Sequence, residues 1–454
     1  MIAAMAMTLT SIATPQVNSI LVRQNWPWST DIKVEFAVSG VTNPVNIFFK
    51  AYNGSNEIEI PDSAITGDRY GLTQDGLYQY KLDATKIFDA YNLVAVSDFK
   101  VEVTAVEDAT AAEVLYKVFN LVSGGCTDIT RAELLNGKYG TIETDYTKFG
   151  TGFTTPVTDA VIWTGVTNDL AYVTTNLVMR KIPATKQVWY LGGSHGCSQK
   201  YVQLTEDYYI GVFPMTAEQW RLAGGGKYKS EFTDADVLPK EALAAFNTRG
   251  SFSGTSNKFK GMKTGEVLIW PTNSYVHDVS STYPLGKMRT KFGIDFDLPT
   301  DAQWEVACRA ESTTDLYSGK SASQANAWEL GWVSSNSDST LHRVGLKAPN
   351  AWGLYDLYGS VWELTPCAGA NWGLTTEQVD AGVGATADNP IVDPLMKIGT
   401  DTSSADKHGG SYLYTYDWDY ARSSTCVSSF EWWDTTCHAG CRVVIPANST
   451  TWKQ

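Results

Sequence analysis

The sequence has little positive charge and no long apolar run. Its 454 residues carry 35 Lys and Arg against 49 Asp and Glu, a net charge of −14 without any basic cluster. Nucleic acids and anionic membranes require a basic surface, so neither is expected as a partner. No apolar run reaches the roughly 20 residues of a membrane-spanning helix, so we expect a soluble protein without membrane insertion.

Motifs for metal binding and nucleophilic catalysis are also scarce. The sequence has no Cys-x-x-Cys, and none of its 5 His pair at helical spacing. Of its 7 cysteines, an odd number, Cys426, Cys437 and Cys441 lie close together, and bridging among them stays open. The run from Cys437 to Cys441 offers too few ligands for a tetrahedral zinc site. The sequence therefore predicts no catalytic residue.

The first part of the chain has the alternation of a half-buried sheet. A chain of this length exceeds one ordinary core, so two or three domains are expected. Ile32, Val34 and Phe36 alternate with charged or small residues, and turn signals such as Gln74-Asp75-Gly76 separate similar runs. Residues 1–107 are predicted to form a β-sandwich of immunoglobulin-like character, with a spacing or docking role.

The rest of the chain has a different residue pattern. Residues 108–175 carry no motif and are interpreted as a connecting β-rich segment, whereas 176–454 read as a loop-rich α+β domain. Thr216 and Thr300 are each followed three residues later by Gln, which is the spacing of a helix capping box. Cys308 lies at core spacing in the second of these helices and is expected to be a buried, inert thiol.

Five blocks in this second part resemble, in order, the signature blocks of the formylglycine-generating enzyme (sulfatase-modifying factor) domain family. They read YYIGVFPMTAEQW, FDLPTDAQWEVACRA, PNAWGLYDLYGSVWELTP, HGGSY and GCRVV. The resemblance covers about residues 176–446 and implies a C-type-lectin-like fold. The family's enzymes oxidise a cysteine of a target protein with copper held by two cysteines, which would fall here at Tyr414 and Asp419. Neither side chain supplies the thiolate that Cu(I) needs, so we expect no enzyme of that type.

The resemblance also implies a cation site. Family members hold Ca²⁺ near the third block through an acidic or amide side chain, backbone carbonyls and a Glu. The matching positions are Asp356, Gly359, Val361 and Glu363, an oxygen-only set that suits calcium. Calcium is therefore the candidate cofactor, and the alternative is that the two carboxylates merely cap local turns.

The stretch from His408 to Val444 combines Tyr and Trp with Ser, Thr and Asp, as ligand-binding surfaces do. Aromatic clusters also occur in cores, so burial is the alternative. The resemblance extends to variable proteins of diversity-generating retroelements, non-catalytic binders that diversify exposed positions of a C-terminal segment. Positions where the family pattern is loose are the predicted ligand-binding residues: Tyr414, Tyr416, Asp417, Trp418, Phe430, Trp432, Trp433, Thr435 and His438.

The function these features favour is non-catalytic ligand binding or adhesion, directed at a protein or glycan on another cell or particle. The main alternative is a formylglycine-generating-type oxidoreductase with metal ligands relocated to Cys426, Cys437 and His438, and the third is a structural assembly subunit. The N-terminus lacks the features of a secretion signal. An extracellular, cell-surface or virion location is nevertheless favoured, through another export route, through trimming of the sequence or as part of a virus particle, and the oligomeric state stays open.

Overall fold

The structure is a computed structural model. It describes residues 14–24, 28–88, 99–154, 157, 160–193, 196, 198–226, 235–250, 279–365, 372, 374, 376–394, 404–413, 417–431 and 438–448. The chain divides into two compact units, the first formed by Met1–Val114 with Thr130–Tyr139 and the second by Leu115–Ile129 with Gly140–Gln454.

The N-terminal unit contains two antiparallel sheets. The strands are β1 (Gln16–Gln24), β2 (Asp31–Ser39), β3 (Val45–Asn53), β4 (Asn56–Ile58), β5 (Ile65–Thr66), β6 (Gly76–Asp83) and β7 (Phe99–Glu107). The strand orders of the two sheets are β1-β2-β6-β5 and β4-β3-β7. Two short helices, α1 (Ala84–Ile87) and α2 (Arg131–Leu135), also belong to this unit.

The predicted alternation on β2 is confirmed. Its inward residues are buried and the intervening ones are half-exposed, because successive side chains of a strand point to opposite faces. Side chains from both sheets share one apolar core, in which the Phe36 and Tyr80 rings stack with centroids 5.6 Å apart. Two sheets around one core confirm the β-rich expectation, whereas the immunoglobulin-like relationship stays a prediction.

The second unit is rich in short strands. They are β8 (Val114–Asn120), β9 (Cys126–Thr130), β10 (Asn176–Ile182), β11 (Trp189–Leu191), β12 (Lys200–Gln203), β13 (Tyr208–Gly211), β14 (Gly331–Trp332), β15 (Tyr358–Gly359), β16 (Trp362–Thr365), β17 (Ile391–Val392), β18 (Ser404–His408), β19 (Cys426–Glu431), β20 (Ala439–Gly440) and β21 (Val444–Pro446). Its helices are α3 (Ala217–Leu222), α4 (Ala245–Arg249), α5 (Pro284–Phe292), α6 (Asp301–Arg309), α7 (Gln324–Leu330) and α8 (Thr376–Asp380).

These strands form four small sheets. The largest has the order β21-β13-β10-β8-β9 and joins strands distant in sequence. A second, β19-β18-β16-β20, carries the residues described below, and smaller sheets have the orders β11-β12-β17 and β14-β15. The segment interpreted as a connection therefore contributes β8 to the main sheet, where it pairs with β10. The mixed, strand-rich architecture agrees with the α+β prediction, while the C-type-lectin-like topology stays a prediction.

Both predicted capping boxes are confirmed. Thr216 Oγ1 accepts from the Gln219 amide at 3.2 Å, and the Gln219 side chain accepts from the Thr216 amide at 3.1 Å. Thr300 and Gln303 repeat the exchange at the start of α6. Every residue of α6 is buried, so this helix runs through the interior of the unit. No helix in the described ranges has the length and apolarity to cross a membrane.

Candidate functional site

A row of paired residues crosses the β19-β18-β16-β20 sheet. Glu363 of β16 lies opposite His408 of β18 and Gly440 of β20, and His408 lies opposite Cys426 of β19. Directly paired side chains share a face of a sheet, so this row sets acidic, imidazole and thiol groups side by side. We call it the cross-strand row. Helix α6 contributes Asp301 and Trp304 to the same place, as the contacts below show.

The buried centre of the row is an ion pair between Arg442 and Glu363. Nη2 of Arg442 donates to Oε1 of Glu363 at 2.7 Å and Nε donates to Oε2 at 3.0 Å. The guanidinium also donates to the carbonyls of Gly211 at 2.8 Å and Tyr355 at 2.7 Å. Trp304 Nε1 donates to Oε2 of Glu363 at 2.6 Å. A buried charge needs this degree of pairing, and the bonds join the GCRVV segment to β13 and β16.

His408 is held between α6 and β16. Its Nε2 lies 2.9 Å from Oδ1 of Asp301, which also accepts a 2.5 Å hydrogen bond from the hydroxyl of Thr365. The Trp304 ring stacks on the imidazole with centroids 4.6 Å apart. Sequence reasoning treated this histidine only as part of the HGGSY block.

The predicted calcium residues lie in the interior around this centre. Asp356 is buried with a φ of 54°, and its Oδ2 accepts from the Gly345 amide at 2.6 Å. Burial raises the pKa of Asp356 to about 6. Gly359 and Val361 are buried as well, and the Gly359 amide donates to the Gly409 carbonyl at 2.7 Å.

Glu363 does not fit a calcium ligand in this arrangement. Both of its oxygens accept hydrogen bonds from Arg442 or Trp304, and a guanidinium against the carboxylate disfavours a second cation there. Among the described residues, Asp356 has no cationic hydrogen-bond partner, and calcium binding at these four positions stays a prediction.

Both glycines after His408 have a positive φ, and the first is also required by a close backbone approach. Gly409 has a φ of 85°, and a Cβ there would lie 2.3 Å from the carbonyl oxygen of Leu357. Gly410 has a φ of 84°, in the region that favours glycine. Ser411 and Tyr412, which follow, are 2% and 4% exposed, so this block belongs to the scaffold.

The predicted ligand-binding residues are only partly covered by the described ranges. Trp418 is half-buried in a 3₁₀ helix at Asp417–Tyr420, with the Arg422 guanidinium 5.7 Å from its ring centre. Phe430 has its backbone in β19, opposite Ala405. Positions outside the described residues are Tyr414, Tyr416, Trp432, Trp433 and Thr435.

His438 belongs to a half-buried polar cluster that sequence reasoning missed. Its Nδ1 lies 3.2 Å from Oε2 of Glu241, and the Tyr412 hydroxyl donates to the same oxygen at 3.1 Å. The Tyr412 and His438 rings meet edge to face at 5.2 Å. Nothing in the sequence pattern marked Glu241, which is 197 residues from its histidine partner. We call these three residues the Glu241 cluster.

The family's copper positions carry other chemistry here. Asp419, at the second of them, forms an ion pair with Arg422, while Tyr414, at the first, lies outside the described residues. Cys308 and Cys441 are buried free thiols, and burial raises the pKa of each to about 12. The inert role predicted for Cys308 agrees with this burial. The bridging considered for Cys426 and Cys441 is not formed, because both are free thiols.

The fold and site define a strand-rich α+β domain whose C-terminal segments converge on a buried Arg–Glu pair. The chain belongs to the sulfatase-modifying factor enzyme 1-like domain family, whose profile matches residues 183–445, more than half of its length. A comparison with curated proteins found no significant match.

Two solved structures are similar to the chain at low identity. "Treponema denticola variable protein 1" is 20% identical over 60% of this chain and 95% of its own, with a TM-score of 0.41. CarF is 16% identical over 60% of this chain and 99% of its own, with a TM-score of 0.35. At such TM-scores the likeness carries no argument about function.

Proposed function

We propose that this protein is a non-catalytic ligand-binding or adhesion member of its family, with the receptor surface formed by the C-terminal segment around Trp418 and His438. The observation that carries the proposal is the substitution at the copper positions. Asp419 is engaged by Arg422, and a carboxylate in such a pair cannot replace a copper-binding thiolate. The scaffold around it keeps its buried ion pair and its glycine turn.

The Glu241 cluster supports a binding role for this surface. Glu241 holds both His438 and Tyr412, so the two aromatic groups are fixed before any ligand arrives. The His438 side chain nevertheless keeps 31% of its surface exposed. Groups that are already ordered lose little conformational entropy on binding. The imidazole of His438 and its carboxylate partner suit a polar ligand such as a glycan or a polar protein surface, and the buried Tyr412 holds that carboxylate from the scaffold side.

The oxidoreductase alternative would need Cys426, Cys437 and His438 to act together. Cys426 lies beside His408 and Asp301, whereas His438 bonds to Glu241, so the two described members have different partners. Cys437 lies outside the described residues. No observation favours this alternative.

We further propose that the N-terminal unit serves as the structural support of the binding domain.

A binding screen tests the proposal. Glycan and protein arrays would first identify a ligand for the full chain. Alanine at Trp432 and Trp433 should then weaken binding by about 30-fold or more, as loss of aromatic hot spots does, with the melting temperature unchanged. The matched control is Trp28→Ala, since Trp28 is 89% exposed in the other unit. It should bind like the wild type.

Two outcomes would contradict the proposal. If the double variant loses its fold, the two tryptophans are core residues and not a receptor surface. If the copper-loaded protein converts a cysteine-containing sulfatase peptide and Cys437→Ser removes that turnover, the protein is an enzyme. A reverse transcriptase gene next to a near-copy of the last coding stretch would additionally support a retroelement-diversified variable protein.

A further inference from the structure

We infer that Asp301, His408 and Cys426 hold one divalent transition-metal ion, and that zinc is the metal whose ligand preferences they match. The three side chains come from α6, β18 and β19, and one ligand atom of each lies within 4.8 Å of the others. This site is separate from the receptor surface proposed above and does not depend on it. Nor does it use the residues of the predicted calcium site.

The sheet register brings two of the three groups together. His408 and Cys426 are direct partners in the antiparallel β18–β19 pair, so their side chains stand on one face at the closest spacing a sheet provides. Asp301 is the first residue of α6, immediately after the capping residue Thr300. The positions of all three are therefore set by regular backbone structure, which favours a preorganised site.

The imidazole of His408 meets the proposed carboxylate ligand directly. Nε2 lies 2.9 Å from Oδ1 of Asp301, whereas Nδ1 is buried and has no hydrogen-bond partner among the described residues. The residue is 1% exposed, so water does not reach it freely. Because Nε2 and Oδ1 are adjacent, they can bind one ion together when the imidazole proton lies on Nδ1.

The chemistry of the three donors selects the metal. Imidazole nitrogen, thiolate sulfur and carboxylate oxygen together form a borderline set that zinc accepts, whereas Cu(I) prefers several sulfur ligands and Ca²⁺ requires oxygen alone. Tetrahedral bonds to zinc would place the donor atoms about 3.3–3.8 Å apart, so closing the present cluster requires a movement of about 1 Å.

Access to the ion would come through the cysteine. Asp301 and His408 are buried, whereas Cys426 is half-exposed. Three protein ligands leave a fourth position for water or an external group, the pattern of open zinc sites. A bound ion would therefore be shielded from water on one side, where Trp304 stacks on the imidazole. Its other side would be open to solvent.

Metal titration of the full-length, chelator-treated protein tests this inference. We expect one equivalent of Zn²⁺ to bind, and Co²⁺ in its place to show the absorption of a cobalt–thiolate bond. Cys426→Ser should remove that absorption and weaken zinc binding by more than about 100-fold, because losing an outer-shell partner alone costs about 10–100-fold. Cys126→Ser is the matched control, since Cys126 is also a half-exposed strand cysteine, and it should change neither property.

His408→Gln provides a second variant and should also weaken zinc binding. Because His408 is buried, circular dichroism must first show that the variant folds, and the Cys426→Ser result stands without it. The inference is overturned if the intact protein binds no zinc. It is equally overturned if Cys426→Ser retains the cobalt–thiolate absorption and the zinc affinity of the wild type, since the thiolate would then lie elsewhere.

Discussion

The N-terminal unit and the C-terminal domain bury different kinds of side chain. Around the two N-terminal sheets the core is aliphatic and aromatic, and each ion pair among the described residues of that unit has at least one partner that is well exposed. The C-terminal domain instead buries both partners of several pairs. These are Arg442–Glu363, Arg249–Asp297, Arg309–Glu305 and His408–Asp301.

The difference follows from strand length. Strands of nine residues, such as β2 and β3, satisfy their backbone in long ladders and leave whole faces for apolar packing. Many strands of the C-terminal domain have two to four residues, so much of its interior is irregular chain. Carbonyl groups of such chain need other donors. Arg442 supplies one to Tyr355, in irregular chain, and one to Gly211, at the end of β13, and both lie far from it in sequence.

Removing one member of the central buried pair should have the largest effect. Glu363→Gln leaves the Arg442 guanidinium buried without a counter-charge, and we expect a loss of about 3–5 kcal/mol in the free energy of unfolding. Urea-induced unfolding measures this loss. The control is Glu35→Gln in the N-terminal unit, where the pair with Arg23 is exposed, and its loss should stay below about 1 kcal/mol. Similar losses in both variants would show that burial of the pair is immaterial.

Neutralising Asp356 should increase the free energy of unfolding, in contrast to the loss expected for Glu363→Gln. Burial raises its pKa to about 6, above the value of about 3.9 in an unfolded chain, so its contribution to stability is largest below pH 4 and is lost as the pH rises through 6. At pH 7.5 we expect Asp356→Asn to be more stable than the wild type by up to about 3 kcal/mol. That advantage should disappear as the pH falls from 6 to 4.

Asparagine is the suitable replacement because it tolerates the positive φ at this position and keeps an acceptor for the Gly345 amide. Thermal unfolding between pH 4 and 8 provides the measurement. The same experiment tests calcium, which should raise the melting temperature of the wild type but not of the variant if Asp356 binds it. A variant that is less stable by a constant amount at every pH would contradict the assigned cost of the buried carboxylate.

A cavity in the N-terminal core should cause the smallest of the three changes in the free energy of unfolding. Val34 is fully buried on β2, opposite Tyr80 of β6. Val34→Ala removes two methyl groups and should cost about 2 kcal/mol. The neighbouring Lys33→Ala, on the other face of the strand, should change stability by less than about 0.5 kcal/mol. Hydrogen exchange along β2 and β6 would report the loss, and equal exchange in both variants would contradict it.

The N-terminal unit and the C-terminal domain also differ in how much of their structure could be predicted from the sequence. The alternation along β2 predicted its buried face, because period-two burial is a property of a single strand. The capping boxes at Thr216 and Thr300 were predictable for the same local reason. The order of five family blocks identified the C-terminal domain. The role of residues 108–175 was not predictable, since β8 gains its place only by pairing with β10.

By itself, the sequence determined the local elements, the family and the loss of a thiolate at Asp419. Only the tertiary structure decided which distant groups meet. Glu241 joins His438 across 197 positions, and Asp301 joins His408 across 107. Such contacts depend on the path of the whole chain and on strand register, which sets His408 against Cys426. No local pattern encodes that meeting, because its stability arises only after the segments have packed together.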